Sequence, residues 1–188
     1  MNDPNLYTKY NKQRQIILIS LYVDDMIITG NADNLIKEIK RHMSQVFEMK
    51  DLINLHYCLG LEVWRDSGKN FLTQGKYARS LLEKFRMEQC RSATTPLQQN
   101  LKLCSDDGTK EVDATMYRQL VGSLIYLTTT RPDLAYSVSM LSQFMSKQLE
   151  SHWVAEKIML RYLSGTSNYG ILYTDMSDVT LVGFSDSD

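Results

Sequence analysis

The chain has 188 residues, of which 43% are hydrophobic and 23% are charged, and its formal net charge is −1 at pH 7. These values are ordinary for a globular protein and predict one or two domains with a sizeable core. They exclude a strongly basic surface, so any binding of nucleic acid has to come from a local cluster of cations. The sequence contains no run of about 18 apolar residues, so no membrane span is predicted.

The cysteine pattern and the amino terminus favour an intracellular protein. Cys58, Cys90 and Cys104 are widely spaced and form no CxxC pair, so we expect reduced thiols. The three histidines have no zinc-site spacing and are expected to be structural. The first residues lack a basic region followed by an apolar one, which argues against a secretory signal. We therefore expect a cytoplasmic or nuclear location.

A β-hairpin is predicted over residues 15–30, after a polar segment, residues 1–14, with little pattern. Two short runs rich in Ile, Leu and Val flank the adjacent carboxylates of Asp24 and Asp25. A tight turn would let both carboxylates face one site, and hard oxygen ligands suit Mg²⁺. The alternative is an ordinary solvated turn, in which Asp is common.

The next segment combines a helix with a second β unit. Apolar residues recur at helical spacing after Gly30, and Asn31 or Asp33 can cap the helix. Alternating polarity then predicts a strand, and a Gly-containing stretch predicts a turn. In chain order we expect a helix at about 32–47, a strand at 57–64, a turn at 66–69, a return strand at 70–73 and a helix at about 76–86.

Cations are concentrated between Arg65 and Arg91, where seven basic residues occur with only three acidic ones. Aromatic residues are interleaved among them, and basic residues with nearby aromatics are typical of grooves that follow a nucleic-acid backbone. The aromatics at helical spacing are more simply core residues. The candidate nucleic-acid contacts are the cations Lys76, Arg79, Lys84 and Arg86.

Residues 91–112 predict a linker and the best domain boundary in the chain, because Ser, Thr, Pro, Asp and Gly are frequent there. Three helices should follow, at about 113–127, from Arg131-Pro132-Asp133 onward, and at about 151–163. A closing hairpin is expected from 170–174 and 179–185. The residues predicted to be buried between these helices are Leu120, Leu124, Leu134, Val138, Leu141 and Ile158.

Tyr22-Val23-Asp24-Asp25, between two apolar strands, resembles the catalytic hairpin of reverse transcriptases, and of the copia-type retrotransposon family in particular. The resemblance extends over about residues 15–188. Its motifs downstream of the hairpin are residues 59–62, 71–77, 95–97, 117–127, 130–133, 160–166 and 183–188.

The resemblance implies an α+β fold that is a partial polymerase palm of antiparallel hairpins and helices, followed by a helical region and a terminal β-hairpin. Residues 1–90 would be the carboxy-terminal half of the palm, with the catalytic hairpin and the primer grip. Residues 91–112 would be the linker, and 113–168 the helical thumb or connection region. Residues 169–188 would be the start of a truncated ribonuclease H-like domain.

The same resemblance implies roles for individual residues. Asp24 and Asp25 would be catalytic metal ligands, and Asp186 would be a metal ligand of the ribonuclease H-like domain. Two Mg²⁺ ions, or Mn²⁺, about 4 Å apart would align the primer 3′ hydroxyl with the incoming nucleotide. The partners would be an RNA template, a DNA primer and deoxynucleoside triphosphates. The residues implied in primer binding are Tyr22, Leu59, Gly60, Leu61 and Glu62.

The chain also departs from the family pattern. Reverse transcriptases use a third metal-binding Asp from a strand well upstream, yet only 21 residues precede Tyr22. The later ribonuclease H carboxylates are missing as well. We therefore expect an internal piece of a polyprotein whose remaining parts are missing, inactive as an isolated chain. The alternatives are a non-catalytic nucleic-acid-binding remnant and a decayed element product.

Overall fold

The computed structural model describes residues 5–10, 14–98, 100–174 and 183. It contains both helices and antiparallel sheets, which confirms the predicted α+β class. The chain divides into two compact units, residues 1–55 and 56–188. This division differs from the boundary predicted at 91–112. Within the described residues, no helix has the length and apolar character that crossing a membrane requires.

The first unit contains a three-stranded antiparallel sheet in the order β1-β2-β3, with β1 at Leu6–Tyr10, β2 at Ile16–Tyr22 and β3 at Asp25–Gly30. The hairpin of β2 and β3 confirms the prediction over residues 15–30. Strand β1 was not predicted, because all five of its residues are exposed and so it has no alternation of buried and exposed positions. It pairs with β2 from Leu6 opposite Ser20 to Tyr10 opposite Ile16.

Helix α1, Asp33–Val46, follows the hairpin as predicted, but its predicted cap is wrong. Ala32 is the N-cap residue, and its side chain makes no capping hydrogen bond. The side chain of Asn31 is engaged elsewhere, because its Oδ1 accepts a hydrogen bond from Ile16 N at 2.8 Å and thereby closes the open end of the hairpin. Among the described residues of this unit, only Ile17 and Ala32 are buried apolar side chains.

The second unit contains a four-stranded antiparallel sheet in the order β4-β5-β6-β7. The single strand predicted over 57–64 is wrong. Leu59 and Gly60 have φ angles of 49° and 79° and form a two-residue turn, so Cys58 pairs with Leu61. Such turns need positive φ at both central positions, which Gly adopts readily. The strands are β4 at Tyr57–Cys58, β5 at Leu61–Asp66, β6 at Lys69–Thr73 and β7 at Gly170–Thr174.

Four helices build the core of this unit. They are α2 at Gly75–Lys84, α3 at Ala114–Leu127, α4 at Ala135–Ser142 and α5 at Glu150–Gly165, with a 3₁₀ turn at Pro132–Leu134 before α4. The three helices predicted after residue 112 are thus confirmed. Most of the predicted core residues are buried, namely Leu120, Leu124, Leu134, Val138 and Leu141, whereas Ile158 is only partly buried because Met159 and Leu160 take the inward positions of α5.

The segment predicted as a linker, residues 91–112, packs on this core. Leu97, Leu101, Leu103 and Val112 are partly buried against the helices. Because Ser, Thr and Asp residues surround these apolar residues in the sequence, composition alone predicts a linker and not these contacts. Strand β7 confirms the first strand of the predicted closing hairpin, whereas its second strand, residues 179–185, is not covered by the described residues apart from Gly183.

Arg131 is a buried polar residue between α3 and α4. Its guanidinium bonds both carboxylate oxygens of Asp133, at 2.9 and 2.7 Å, and also the backbone and side-chain oxygens of Thr166. The rings of Tyr162 and Tyr169 lie 5.8 and 5.4 Å from its central carbon. Although Arg131 is only 2% exposed, its charge is paired, which is the usual condition for burying a cation. This cluster joins the start of α4 to the end of α5.

Helix α5 buries two further polar residues. His152 stacks on Phe144 at 3.9 Å, and its Nδ1 accepts a hydrogen bond from Leu149 N, so this histidine is structural as predicted. Glu156 is 0% exposed, and neither of its carboxylate oxygens has a hydrogen-bond partner among the described residues. Burial raises the pKa of Glu156 to about 9. Its carboxyl group is therefore neutral at pH 7 in the folded chain.

Candidate catalytic hairpin and nucleic-acid interface

The tip of the β2–β3 hairpin presents the two adjacent carboxylates. Tyr22 pairs with Asp25 across the strands, which leaves Val23 and Asp24 as a two-residue turn. Directly opposed residues of an antiparallel pair lie on one face, so Tyr22 and Asp25 share a face next to the turn. Both carboxylates are exposed. The hairpin thus places Asp24 and Asp25 at a turn, as predicted, whereas their joint contact with one ion stays a prediction.

The turn is strained at Val23. Its φ of 55° is in the left-handed region, and its side chain is 92% exposed. A β-branched residue rarely adopts positive φ, and such a conformation costs about 1–3 kcal/mol. Backbone strain of this kind clusters at functional sites, and no burial of the Val23 side chain offsets it. The strain was not visible in the sequence, where Val23 appears only as a strand-forming residue.

The donor set at the tip suits a hard divalent cation. Mg²⁺ is commonly held by one or two carboxylates together with substrate phosphates, and Asp24 and Asp25 supply two carboxylates in an open position. In the described ranges, no group of three His, Cys, Asp or Glu side chains is placed to hold a metal. The hairpin residues therefore fit weak binding of one ion, with ligand positions left open for other oxygens.

The Leu59–Gly60 turn is supported by helix α3 of the same unit. The hydroxyl of Tyr126 donates a hydrogen bond to the carbonyl oxygen of Leu59. A Cβ atom added at Gly60 would lie 2.5 Å from that hydroxyl oxygen, so a larger residue there would displace the Tyr126 ring. The ring of Tyr126 packs edge-on against Tyr77 at 4.9 Å between centroids. Sequence reasoning missed Tyr126, because its helical spacing gives no sign of a partner 67 residues away.

The four residues of the second unit implied in gripping a primer have different environments. Leu59 is 44% exposed at the turn, and Leu61 is partly buried at the start of β5. Glu62 is only 7% exposed, and its Oε1 accepts a hydrogen bond from Lys76 N at 2.8 Å. A carboxylate at the first turn of a helix accepts a hydrogen bond from a free N–H group and interacts favourably with the positive end of the helix dipole. Glu62 therefore stabilises the start of α2, while Leu59 and Gly60 are accessible.

The four predicted nucleic-acid contacts lie on α2 or just after it, and all are exposed. The ammonium of Lys76 lies 5.3 Å from the ring centroid of Tyr57, and that of Lys84 lies 5.8 Å from the ring of Phe85. Arg79 donates a hydrogen bond to Asn168 Oδ1 at 2.9 Å. The structure thus brings Lys76, Arg79 and Lys84 together on one helix. Phosphate contact by these cations stays a prediction.

The predicted site residues belong to separate parts of the chain. Tyr22, Asp24 and Asp25 lie in the first unit, and residues 59–62 and 76–86 lie in the second. Asp186, the metal ligand implied by the resemblance to ribonuclease H, lies outside the described residues. The hairpin and the α2 cations are therefore two candidate sites, each defined within its own unit.

Comparisons with known proteins identify the relatives of the chain. Residues 2–99 match the family described as reverse transcriptase (RNA-dependent DNA polymerase). The whole chain is 40% identical to part of the retrovirus-related Pol polyprotein from transposon RE2 of Arabidopsis thaliana, and 38% identical to part of that from transposon TNT 1-94 of Nicotiana tabacum. It spans 13% and 15% of the lengths of these two relatives.

A shorter relative covers a similar region. Over 169 residues the chain is 38% identical to an uncharacterised mitochondrial protein of Arabidopsis thaliana, covering 89% of this chain and 70% of that protein. No solved structure matches the chain.

Proposed function

Because the chain belongs to the reverse transcriptase family of copia-type retrotransposons, we propose that it is the carboxy-terminal part of a polymerase palm with its helical thumb or connection region. In the intact parent this part would serve RNA-directed DNA synthesis by two-metal nucleotidyl transfer, on an RNA template, a DNA primer and deoxynucleoside triphosphates. The single observation that carries the proposal is the strained hairpin tip with the exposed carboxylates of Asp24 and Asp25.

In this proposal the chain's own residues bind and orient the reactants. Asp24 would hold a divalent ion and Asp25 would assist from the start of β3, while Tyr22, on the face of Asp25, would support the primer–template end. Mg²⁺, or Mn²⁺, would supply charge stabilisation at the attacking and leaving oxygens. The Leu59–Gly60 turn, at which Leu59 is exposed, would contact the primer. We also propose an intracellular location, which the wide spacing of the three cysteines along the chain supports.

The isolated 188-residue chain should not polymerise. Two metal ions have to be held together, so that both the attacking and the leaving oxygen are stabilised. Asp24 and Asp25 approach an ion from one turn, and the described residues place no third carboxylate with them. Without a second ion and without contacts that fix the nucleotide, the positioning contribution of about 7–11 kcal/mol is lost.

Two measurements on the purified chain test this proposal. In a Mn²⁺ titration followed by electron paramagnetic resonance, the wild-type chain should bind one ion weakly. Asp24→Asn should abolish that binding, and Asp33→Asn, an exposed aspartate on α1, should leave it unchanged. In primer extension with Mg²⁺ or Mn²⁺, all three proteins should be inactive. Equal Mn²⁺ binding by Asp24→Asn would refute the metal-site assignment, and template-directed extension lost in Asp24→Asn would refute the expected inactivity.

A second candidate function is nucleic-acid binding without catalysis, and the exposed cations of α2 favour it. Cations that neutralise phosphates release counterions, so the affinity falls as salt rises. A product of a decayed element would show no such binding. Salt-dependent binding of a primer–template by a chain that does not extend it would support this candidate.

A further inference from the structure

Strand β1 lies at one edge of the sheet in the first unit, and its outer side has no partner strand among the described residues. Leu21 N donates a hydrogen bond to Asn5 O at 2.9 Å, just before β1 begins. In antiparallel pairs, residues bonded to the neighbouring strand alternate with residues whose N–H and C=O groups point away from it. Counting from Asn5, three residues of β1 therefore direct both backbone groups outward. They are Leu6, Thr8 and Tyr10.

The side chains of β1 are uncovered as well. All five are exposed, and the two largest, Tyr7 and Tyr10, are 55% and 68% exposed. Proteins usually protect an edge strand with charges, proline or a bulge, because its outward backbone groups can pair with another chain. Within Leu6–Tyr10 only Lys9 is charged, and the pairing with β2 continues without a bulge. Strand β1 therefore keeps the properties that let an edge accept a further strand.

The sequence of β1 is self-complementary when two copies run antiparallel. In the register with Thr8 opposite Thr8 of the second copy, Leu6 lies opposite Tyr10, and these residues form an apolar pair on one face. Tyr7 lies opposite Lys9, so that the ammonium meets an aromatic ring on the other face. Each opposed pair of outward-facing residues exchanges two backbone hydrogen bonds. Shifting the register by two residues leaves fewer outward groups opposed, and in one direction it places Lys9 opposite Lys9, which is destabilising.

We propose that two copies of the chain associate through β1, in an antiparallel pair centred on Thr8. The two three-stranded sheets then form one sheet of six strands, and the assembly closes at two copies because both use the same edge. Association covers apolar side chains of β1, in a unit whose described residues bury only Ile17 and Ala32 as apolar side chains. This contact is independent of the Asp24 hairpin and of polymerase activity.

Sedimentation velocity of the full chain at increasing concentration tests the association. The mass of the wild type should rise from 21.7 kDa towards twice that value and no further. Thr8→Lys places two ammonium groups side by side at the two-fold axis, so it should stay monomeric at concentrations where the wild type is a dimer. The matched control is Thr29→Lys on β3. Thr8 and Thr29 both lie opposite Leu18, so they project from the same face at opposite edges of the sheet, and both are exposed.

A charge-reversal pair separates loss of the interface from loss of the strand. Thr8→Glu alone should also be monomeric, because two carboxylates then meet at the two-fold axis. An equimolar mixture of Thr8→Lys and Thr8→Glu should form heterodimers, since opposite charges face each other in the proposed register. If the substitutions had simply unfolded β1, mixing would not restore the association.

Backbone hydrogen exchange, followed by nuclear magnetic resonance, reports the register residue by residue. The amides of Leu6, Thr8 and Tyr10 should exchange about tenfold more slowly where about nine-tenths of the chain is dimeric, because exchange then proceeds through the remaining monomer. The amides of Tyr7 and Lys9 already bond to β2 and should change much less with concentration.

Each outcome bears on the proposal. A wild type that stays at 21.7 kDa, or that grows beyond two copies, would overturn it. So would equal association by wild type and Thr8→Lys. Loss of association in Thr29→Lys would assign the contact to the β3 edge, and a monomeric mixture of Thr8→Lys and Thr8→Glu would rule out the register. Asp24→Asn should associate like the wild type, so failure of the metal-site assignment is measured separately.

Discussion

Replacing Glu156 by Gln should make the chain more stable at neutral pH and should remove part of the pH dependence of its stability. Glu156 is fully buried on α5, and neither of its carboxylate oxygens has a hydrogen-bond partner in the described part of the chain. Burial raises its pKa from the ordinary 4.5 to about 9. The substitution keeps the shape of the side chain and removes the charge that it would otherwise carry in the unfolded state.

The magnitude follows from proton linkage. Between pH 4.5 and pH 9 the folded chain keeps a proton on Glu156 that the unfolded chain has released. The free energy of unfolding therefore falls as pH rises through this window, by about 1.4 kcal/mol per pH unit. From pH 5 to pH 7 the loss is about 3 kcal/mol, a large part of the stability of a small protein. The amide introduced by Glu156→Gln titrates in neither state, so the variant lacks this loss.

Urea unfolding at pH 5, 6, 7 and 8 measures the effect. Trp64 and Trp153 both lie in residues 56–188, so tryptophan fluorescence reports on the unit that contains Glu156. The difference between Glu156→Gln and wild type cancels the other titrating groups. Tyr117, the neighbouring phenol, has a pKa raised above its ordinary value by burial and does not titrate in this range. The control is Glu83→Gln, an exposed glutamate on α2.

A stability difference between Glu156→Gln and wild type that stays constant from pH 5 to pH 8 would refute the reasoning. It would mean that Glu156 is ionised in the folded chain, or that water reaches its carboxylate. A slope equal in Glu156→Gln and Glu83→Gln would lead to the same conclusion.

Two other substitutions should reduce stability for reasons visible in the structure. Arg131→Ala should cost about 3 kcal/mol, because it removes the buried guanidinium that bonds Asp133 and Thr166 and leaves Asp133 with the Tyr162 hydroxyl alone. Arg131→Lys should recover only part of this loss, since an ammonium cannot bond both carboxylate oxygens in one plane. An unchanged urea midpoint in Arg131→Ala would contradict this expectation. Gly60→Ala should lower the free energy of unfolding by about 1–3 kcal/mol, because Gly60 has a φ of 79° and the added Cβ would overlap Tyr126. Adding Tyr126→Phe should relieve part of this loss. If the unfolding free energies of the two substitutions are strictly additive, the overlap is not the cause.

The hairpin and the helices α3 to α5 were predictable, because each has the periodicity of its structure. Strands β2 and β3 are short β-branched runs around Asp24 and Asp25, and helix α3 repeats Leu120 and Leu124 at helical spacing. In both cases the pattern comes from residues close together in the sequence, so the sequence alone is enough to predict the element. The part of the candidate site formed by the hairpin is predictable for the same reason.

The errors have equally physical causes. The turn at Leu59 and Gly60 places Cys58 and Leu61 on the same face, although an unbroken strand would put residues three apart on opposite faces. The apolar and polar letters nevertheless alternate across residues 57–64, so the sequence pattern does not reveal the turn. The exposed β1 has no buried face to give it a pattern. Glu156 and Tyr126 depend on contacts with distant residues, and neither burial of a carboxylate nor support of a turn is encoded in spacing.

Buried apolar side chains are distributed unevenly between the two units, and this affects how well the fold pre-organises Asp24 and Asp25 for binding a ligand. The described residues of the first unit bury only Ile17 and Ala32 as apolar side chains, whereas the core of the second unit is extensive. The carboxylates of Asp24 and Asp25 thus stand at an exposed tip over little packed interior. A ligand that fixes both of them in one geometry must also immobilise side chains that the fold leaves free in solvent. The entropy lost in that ordering is subtracted from the free energy of binding.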